Sequence, residues 1–440
     1  MRYYSILILT TIICFGPSKM LPYTTPLLLI LAILFNKNIY KEIYKNTILL
    51  LFIILFGCVY YLILFKDFMV YNYLFSIITY SSFLPIFIIN RKYLANKYLY
   101  IKVINFITIF VVIEASIGII QYIYKIVNDG WGVATGDSVE GTIDIYPAAA
   151  GGFNNPIFII SMIFLTSFLF AFKNYYKYHN SDIKILNIAI VLGTISIILG
   201  TVIHALLFFL ISLITVKLFS IRGKIKKKII KVKYLIVVLL IIIMTVNVSQ
   251  YAMPHIALIK FYTEYLIKDY EKFPKSDITI KAFTSIPKEE PYMVVMGLGP
   301  GQFSSRASLI LSGYYIGGKD YSSRSQLGKK SNPIMEKYLL PLIINPKTSL
   351  EGSTSKPYYS ILSLFTELGI VGIFIFMFFL TIIFMRINKN KTIFHKKIKY
   401  MFLVQILFLL LLGIQENYWE LTQAIYPGLL LMKLEYSSLN

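Results

Sequence analysis

Apolar residues in this chain come in long unbroken runs, without the alternation or 3.6-residue spacing of a half-buried soluble element. Runs of about 20 such residues recur along the 440 positions, and a helix of that length crosses the hydrocarbon core of a bilayer. The runs predict spans at 3–15, 21–35, 47–65, 70–89, 101–126, 156–172, 184–200, 201–217, 234–250, 357–385, 400–416 and 422–434. The stretch 183–216 is one continuous apolar run, too long for a single crossing. Lys173, Lys177 and Lys184 stand before it, and Lys217, Arg222 and Lys224 after it. With both basic clusters in the cytoplasm, the run crosses twice and turns near Gly200. The first run, "MRYYSILILTTIICFGPSKM", has no small-x-small cleavage site after it and reads as an uncleaved span.

The basic loops 36–46, 90–100 and 386–399 fall inside by the same rule. Loop 127–155, with Asp129, Asp137, Glu140 and Asp144 and no Lys or Arg, falls outside. The expected fold is therefore an all-α polytopic membrane protein of about twelve transmembrane helices, both termini cytoplasmic. One connection is far longer than the rest, which divides the chain into spans within 1–250, a large extracytoplasmic loop at 251–356, and spans within 357–440. A loop of that length suggests function or disorder. Apolar-periodic pieces such as "IALIKFYTEYLI", "ASLILSGYYI" and "IMEKYLLPLII" predict short helices packed on the membrane face.

Composition changes this picture little. The chain is 57% hydrophobic, and its +22 formal charge sits between apolar runs, so topology rather than nucleic acid explains it. Cys14 and Cys58 both lie in apolar segments, which implies neither a disulfide framework nor a thiolate metal site. With no compact His/Asp/Glu cluster either, no metal and no cofactor are expected.

Candidate chemistry concentrates in the large loop. In "MVVMGLGPGQFSSRAS" (293–308), Gly297, Gly299 and Gly301 permit positive backbone dihedrals and close approach of another chain, and Pro300 fixes the bend. The glycine spacing matches neither a dinucleotide fingerprint nor a phosphate-binding P-loop; by itself the motif is a structural turn. Ser304 or Ser305 predicts a helix start that puts Arg306 in the first turn. Arg306, Arg324, Lys329, Lys330 and Lys356 lie where the positive-inside bias does not call for them, and phosphate would explain them. Head-group or solvated charges are the plainer alternative. Away from the ends of the predicted spans the charged or titratable candidates are Glu114, His204 and Glu367. Such groups are costly in a bilayer and are functional candidates. Glu367, near the outer end of its span, is a candidate to orient an arginine or accept a proton, or else a structural hydrogen bonder. His204 is a candidate phosphate ligand or base, and Glu114 a polar contact to a neighbouring helix.

"GLGPGQF" (297–303), followed by a polar segment and "KPYYSILSLFTELGIVG" (356–372), resembles the superfamily of O-antigen ligases and Wzy-type surface-polysaccharide polymerases. "GIIQ" (118–121), "GGFNNP" (151–156) and the long late external loop support the resemblance. It implies a GT-C-like helical enzyme in the bacterial cytoplasmic membrane. Such an enzyme transfers glycan from undecaprenyl pyrophosphate at the outer face, with a flippase and a chain-length regulator as partners. Ligases of the superfamily carry a histidine where this chain has Tyr358, nine residues before Glu367. They carry Ser-Arg-Gly where it reads "TVIHALL" (201–207). The resemblance therefore implies a repeat-unit polymerase, with a ligase or a flippase of lipid-linked oligosaccharide as the alternatives. It assigns catalysis to Arg306, Glu367 and His204. Substrate binding falls to Arg324, Lys329, Lys330, Lys356, Tyr358 and the three glycines.

Overall fold

The structure, a computed structural model, describes residues 3–17, 24, 27, 54–82, 97–130, 135–145, 154–179, 183–221, 273–313, 331–344, 356–389 and 396–438. Every regular element among them is helical. The predicted spans at 21–35, apart from residues 24 and 27, and at 234–250, and the piece "IALIKFYTEYLI", lie outside the described residues. The apolar runs appear as α1 (Tyr3–Cys14), α2 (Ile54–Leu64), α3 (Val70–Ser81), α4 (Lys97–Asp129), α5 (Asn154–His179), α6 (Ile183–Leu199) and α7 (Ile203–Ile221). After the large loop come α8 (Ser360–Lys389), α9 (Lys396–Gln415) and α10 (Thr422–Ser438). Four stretches of these helices are long and apolar enough to cross a membrane: Tyr100–Asp129, Asn154–Asn174, Ser360–Met385 and Lys396–Gln415. The run 183–216 breaks at Gly200, and Thr201, between α6 and α7, takes a φ of 52°.

The larger core lies among α4, α5, α6, α9 and α10. Its contacts use small and polar residues in place of a hydrophobic driving force, which lipid does not supply. Gly193 of α6 leaves room for Thr166 of α5, since a Cβ would stand 2.5 Å from the Thr166 hydroxyl oxygen. The Ser161 hydroxyl donates to the Gln423 carbonyl (2.7 Å), and the Gln405 amide donates to the Ser167 hydroxyl (2.8 Å).

A second core joins α2 and α3 to the described part of the large loop. That part folds as short helices: Pro274–Thr284, Ile286–Glu289, Met293–Met296, Arg306–Leu311, Pro333–Tyr338 and Leu340–Ile344. Arg306–Leu311 is capped by Ser305, whose side-chain oxygen accepts from the Ser308 N–H at 3.4 Å.

Turns remote in sequence meet one another. The Thr142 hydroxyl donates to the Phe15 carbonyl (3.1 Å), and the Gln423 amide to the Gly16 carbonyl (3.2 Å). Asn155 donates to the Gly136 carbonyl (2.9 Å), while Gly136 itself packs on Thr201. On the other side Gln302 exchanges two 2.9 Å bonds with the backbone of Met69, and Asn332 donates to the Asp67 carbonyl (3.1 Å). All of these turns are ones that the charge pattern assigns to the outer side.

Candidate functional site

The Gly-Pro turn needs its glycines. Gly297, Gly299 and Gly301 have φ of 73°, 102° and 80°, a region that costs an L-residue roughly 1–2 kcal/mol. Close approach adds to this. A Cβ on Gly297 would stand 2.1 Å from the Glu367 carbonyl carbon, and one on Gly301 2.2 Å from the Asn72 oxygen. The turn therefore lies pressed between α3 and α8.

What holds it there is a break in α8. At Gly369 the backbone leaves the helical region (φ 63°, ψ −165°), and nearby carbonyls accept from the loop: Thr366 from Leu298 N–H (2.8 Å), Glu367 from Gly299 N–H (3.0 Å). The Glu367 side chain completes the dock. One carboxylate oxygen accepts the Gly301 N–H at 2.6 Å, and the other accepts those of Phe303 and Ser305, both at 2.9 Å. These bonds occupy both oxygens, so in this geometry Glu367 anchors the loop that carries Arg306.

Arg306 follows at the head of its short helix, but it is only 5% exposed. All six residues of Arg306–Leu311 are buried, with the helix packed against α3. The backbone N–H of Arg306 donates to a carboxylate oxygen of Glu420 at 2.5 Å. Glu420 belongs to the turn "QENYWE" (415–420) between α9 and α10. Burial and the nearby Glu367 push its pKa up to about 8, with the Arg306 N–H and charge opposing that rise. The same turn is tied to the loop by Asn417, whose amide donates to the Ser304 carbonyl (2.6 Å). Ser304 and Ser363 share a 3.1 Å bond.

The other end of "QENYWE" gathers a second polar group. The Lys275 ammonium donates to the Gln415 carbonyl (2.5 Å) and lies 5.8 Å over the Tyr359 ring. Lys356 lies 5.9 Å over the ring of Tyr358, which is itself buried. Both lysines feel the Glu416 carboxylate, and Lys275 also feels Lys356. Burial lowers both ammonium pKa values, that of Lys275 to about 8. The His204 ring shares a 2.9 Å hydrogen bond with the Tyr418 hydroxyl and stacks on that ring.

The expected residues thus form two neighbouring groups. Gly297, Gly299, Gly301, Arg306 and Glu367 make one; His204, Lys356 and Tyr358 belong to the other. Arg324, Lys329 and Lys330 lie outside the described residues. The Glu114 carboxylate accepts from the N–H (2.9 Å) and hydroxyl (2.6 Å) of Thr142, in the 3-10 turn Gly141–Ile143 of the acidic loop. Sequence reasoning missed Lys275, Glu416, Asn417 and Glu420. The available signal was the density of polar residues in "QENYWE" between two apolar runs. No group of three or more His, Cys, Asp or Glu suited to a metal occurs among the described residues. No protein-family model, curated protein or solved structure matches this chain.

Proposed function

We propose that this chain is a membrane glycosyltransferase that polymerises undecaprenyl-pyrophosphate-linked oligosaccharide repeat units at the outer face of a bacterial cytoplasmic membrane. In this reading the fold is GT-C-like, with about twelve spans, both termini cytoplasmic, and an extracytoplasmic loop at 251–356 closing over the site. The observation that carries the reading is the docking of the Gly-Pro turn on the α8 break. It brings Arg306, Glu367 and Glu420 together at the end of the bundle where the predicted outer turns meet.

The reaction needs three things. An acceptor hydroxyl attacks the anomeric carbon of the donor, the bond from that carbon to the pyrophosphate oxygen breaks, and the hydroxyl proton leaves. Charge grows on the departing pyrophosphate, where a fixed cation lowers the barrier most. Arg306 supplies that cation, and its burial strengthens the field it exerts. Glu420, with a pKa near 8, suits proton acceptance, because a general base works best with a pKa close to the working pH. Glu367 serves as the positioning residue behind both. His204 and Tyr418 line the neighbouring group. The lipid-linked oligosaccharide is the partner along with the bilayer, and a flippase and chain-length regulator act before and beside the enzyme.

Arg306→Ala is expected to cut polymer synthesis roughly 30- to 1000-fold, the equivalent of about 2–4 kcal/mol of transition-state stabilisation. Arg306→Lys recovers part of it, since a point charge replaces a forked donor. The measurement is initial rate with variants matched for membrane insertion. Full-length polymer at the normal rate from Arg306→Ala would remove the residue from the reaction.

A further inference from the structure

The outward surface of α2 and α3 is apolar. Val59, Leu62 and Ile63 of α2 and Tyr71, Leu74 and Ile78 of α3 are exposed, while Asn72, Ser76 and Thr79 on another side of α3 are buried. A helix pair that hides polar groups and shows apolar ones is built to face lipid. Lys66 and Asp67 interrupt this surface at the turn between the two helices, and both are exposed. Charges at such helix ends hold the turn at the level of the lipid head groups. A cavity of about 450 Å³ opens there, within the usual size of a small-ligand pocket. It is lined by Lys66, Asp67, Tyr71 and Pro333, with the apolar side chains of residues 68–70 between them. Among the described residues, no hydrogen bond or ion pair engages the Lys66 ammonium or the Asp67 carboxylate, so both are open to a ligand.

Two buried amides hold the cavity's backbone in place. Gln302 accepts the Met69 N–H and donates to the Met69 carbonyl, both at 2.9 Å. Asn332 donates to the Asp67 carbonyl (3.1 Å) and to the Gln302 side-chain oxygen (3.3 Å). Gln302 itself lies between Gly301 and Phe303, whose N–H groups end on Glu367. The cavity and the Gly-Pro turn are therefore one mechanical unit.

We propose that this cavity binds the head group of a phospholipid carrying both a phosphate and a primary ammonium, with Lys66 on the phosphate and Asp67 on the ammonium. Both contacts are charge-assisted hydrogen bonds, the stronger kind. Residues 68–70 and the Tyr71 ring receive the glycerol and the first methylenes, and the apolar faces of α2 and α3 carry the acyl chains onward. An anionic head group would meet the Asp67 carboxylate, and a neutral sugar would leave the pair of opposite charges unused. Because the lipid binds the folded turn and not the loosened one, its occupancy also steadies residues 297–305.

The test uses the full-length protein in detergent, offered equal amounts of dioleoyl phosphatidylethanolamine, phosphatidylcholine and phosphatidylglycerol, with retained lipid read by native mass spectrometry. Phosphatidylcholine has no ammonium N–H to give Asp67, and phosphatidylglycerol has no cation. Phosphatidylethanolamine should therefore be retained roughly tenfold over either, the weight of about one charge-assisted hydrogen bond. Lys66→Gln should lower its retention by a similar factor, and Asp67→Lys should turn the preference to phosphatidylglycerol. Lys177→Gln, at an exposed lysine of α5, should change nothing. In phosphatidylcholine nanodiscs, replacing part of the lipid by phosphatidylethanolamine should slow hydrogen exchange of the 297–305 amides, but not in Asp67→Lys. Equal retention of the three lipids, or a preference that survives both Lys66→Gln and Asp67→Lys, would overturn the site. Retention with no change in exchange would overturn its coupling to the Gly-Pro turn. Slower exchange at residues 66–71 with methyl β-D-glucopyranoside, where the lipids show no preference, would make the cavity a sugar subsite and overturn the lipid assignment. None of these readouts uses glycosyl transfer, so the lipid site and the transferase reading stand or fall separately.

Discussion

Glu367, Glu114 and Gln121 are side chains that a bilayer should exclude, and all three do the same work. Each reaches from a helix to the backbone of a loop that the charge pattern assigns to the outer side. Glu367 accepts three N–H groups and Glu114 one; Gln121 accepts from Glu140 and Gly141 (3.0 and 2.8 Å) while donating to the carbonyls of Gly141 and Asp144 (2.9 and 2.7 Å). Buried backbone donors must find acceptors, and glycine-rich turns with no secondary structure of their own supply few. Glu367→Gln keeps one accepting oxygen but turns an amide N–H₂ toward a donor. The unsatisfied group costs about 1–3 kcal/mol. Faster hydrogen exchange of the 297–305 amides and a lower thermal midpoint are expected. Gly301→Ala should act in the same direction and more strongly, because Asn72 blocks the added carbon. Unchanged exchange in both would contradict the anchoring role. The glycines and Arg306 were legible because backbone freedom and charge asymmetry leave marks in sequence. The partner of Glu367 was not legible, because a carboxylate that grips backbone leaves no matching side chain to find.

Among the elements, the least regular ones build the site. α8 reads in sequence as one apolar span, and its Gly369 looks like any small residue in a membrane helix. The break at that residue opens carbonyls for Leu298 and Gly299 to bond, which pins the Gly-Pro turn. A Cβ on Gly369 would stand 2.4 Å from the Val295 carbonyl, so the break and the dock depend on each other. The break at Gly200 was readable because basic clusters flank a run too long to cross once. The turn "QENYWE" was not, since a short connection between spans attracts no attention by length. Its importance comes from packing: it touches Lys275, Ser304, Ser360 and Arg306, residues from three separate stretches of chain.

For the molecule as a whole, alternation of charge and hydrophobic runs recovered the helical membrane architecture. Each described α-helix outside the large loop overlaps a predicted run, as Ile183–Leu199 does 184–200 and Lys396–Gln415 does 400–416. In the large loop the apolar-periodic pieces "ASLILSGYYI" and "IMEKYLLPLII" did mark short helices, Arg306–Leu311, Pro333–Tyr338 and Leu340–Ile344, but not the core that they share with α2 and α3, because that core is built from contacts remote in sequence. The meeting of the predicted outer turns yields a topology test. Cysteines at Ile145 and Lys288, both exposed, should react with an impermeant reagent in intact cells, while one at Lys227 should react only after permeabilisation. The reverse pattern would put the site on the wrong side for an outer-face donor. The chemistry itself is tested most directly by purified protein in nanodiscs, supplied only with undecaprenyl-pyrophosphate-linked repeat units. Because the pyrophosphate linkage already supplies the driving force, glycan should lengthen without nucleotide sugar, metal or ion gradient, with one undecaprenyl pyrophosphate released per bond formed. Movement of the lipid-linked unit between leaflets with glycan length unchanged would instead make the chain a transporter and contradict the transferase reading.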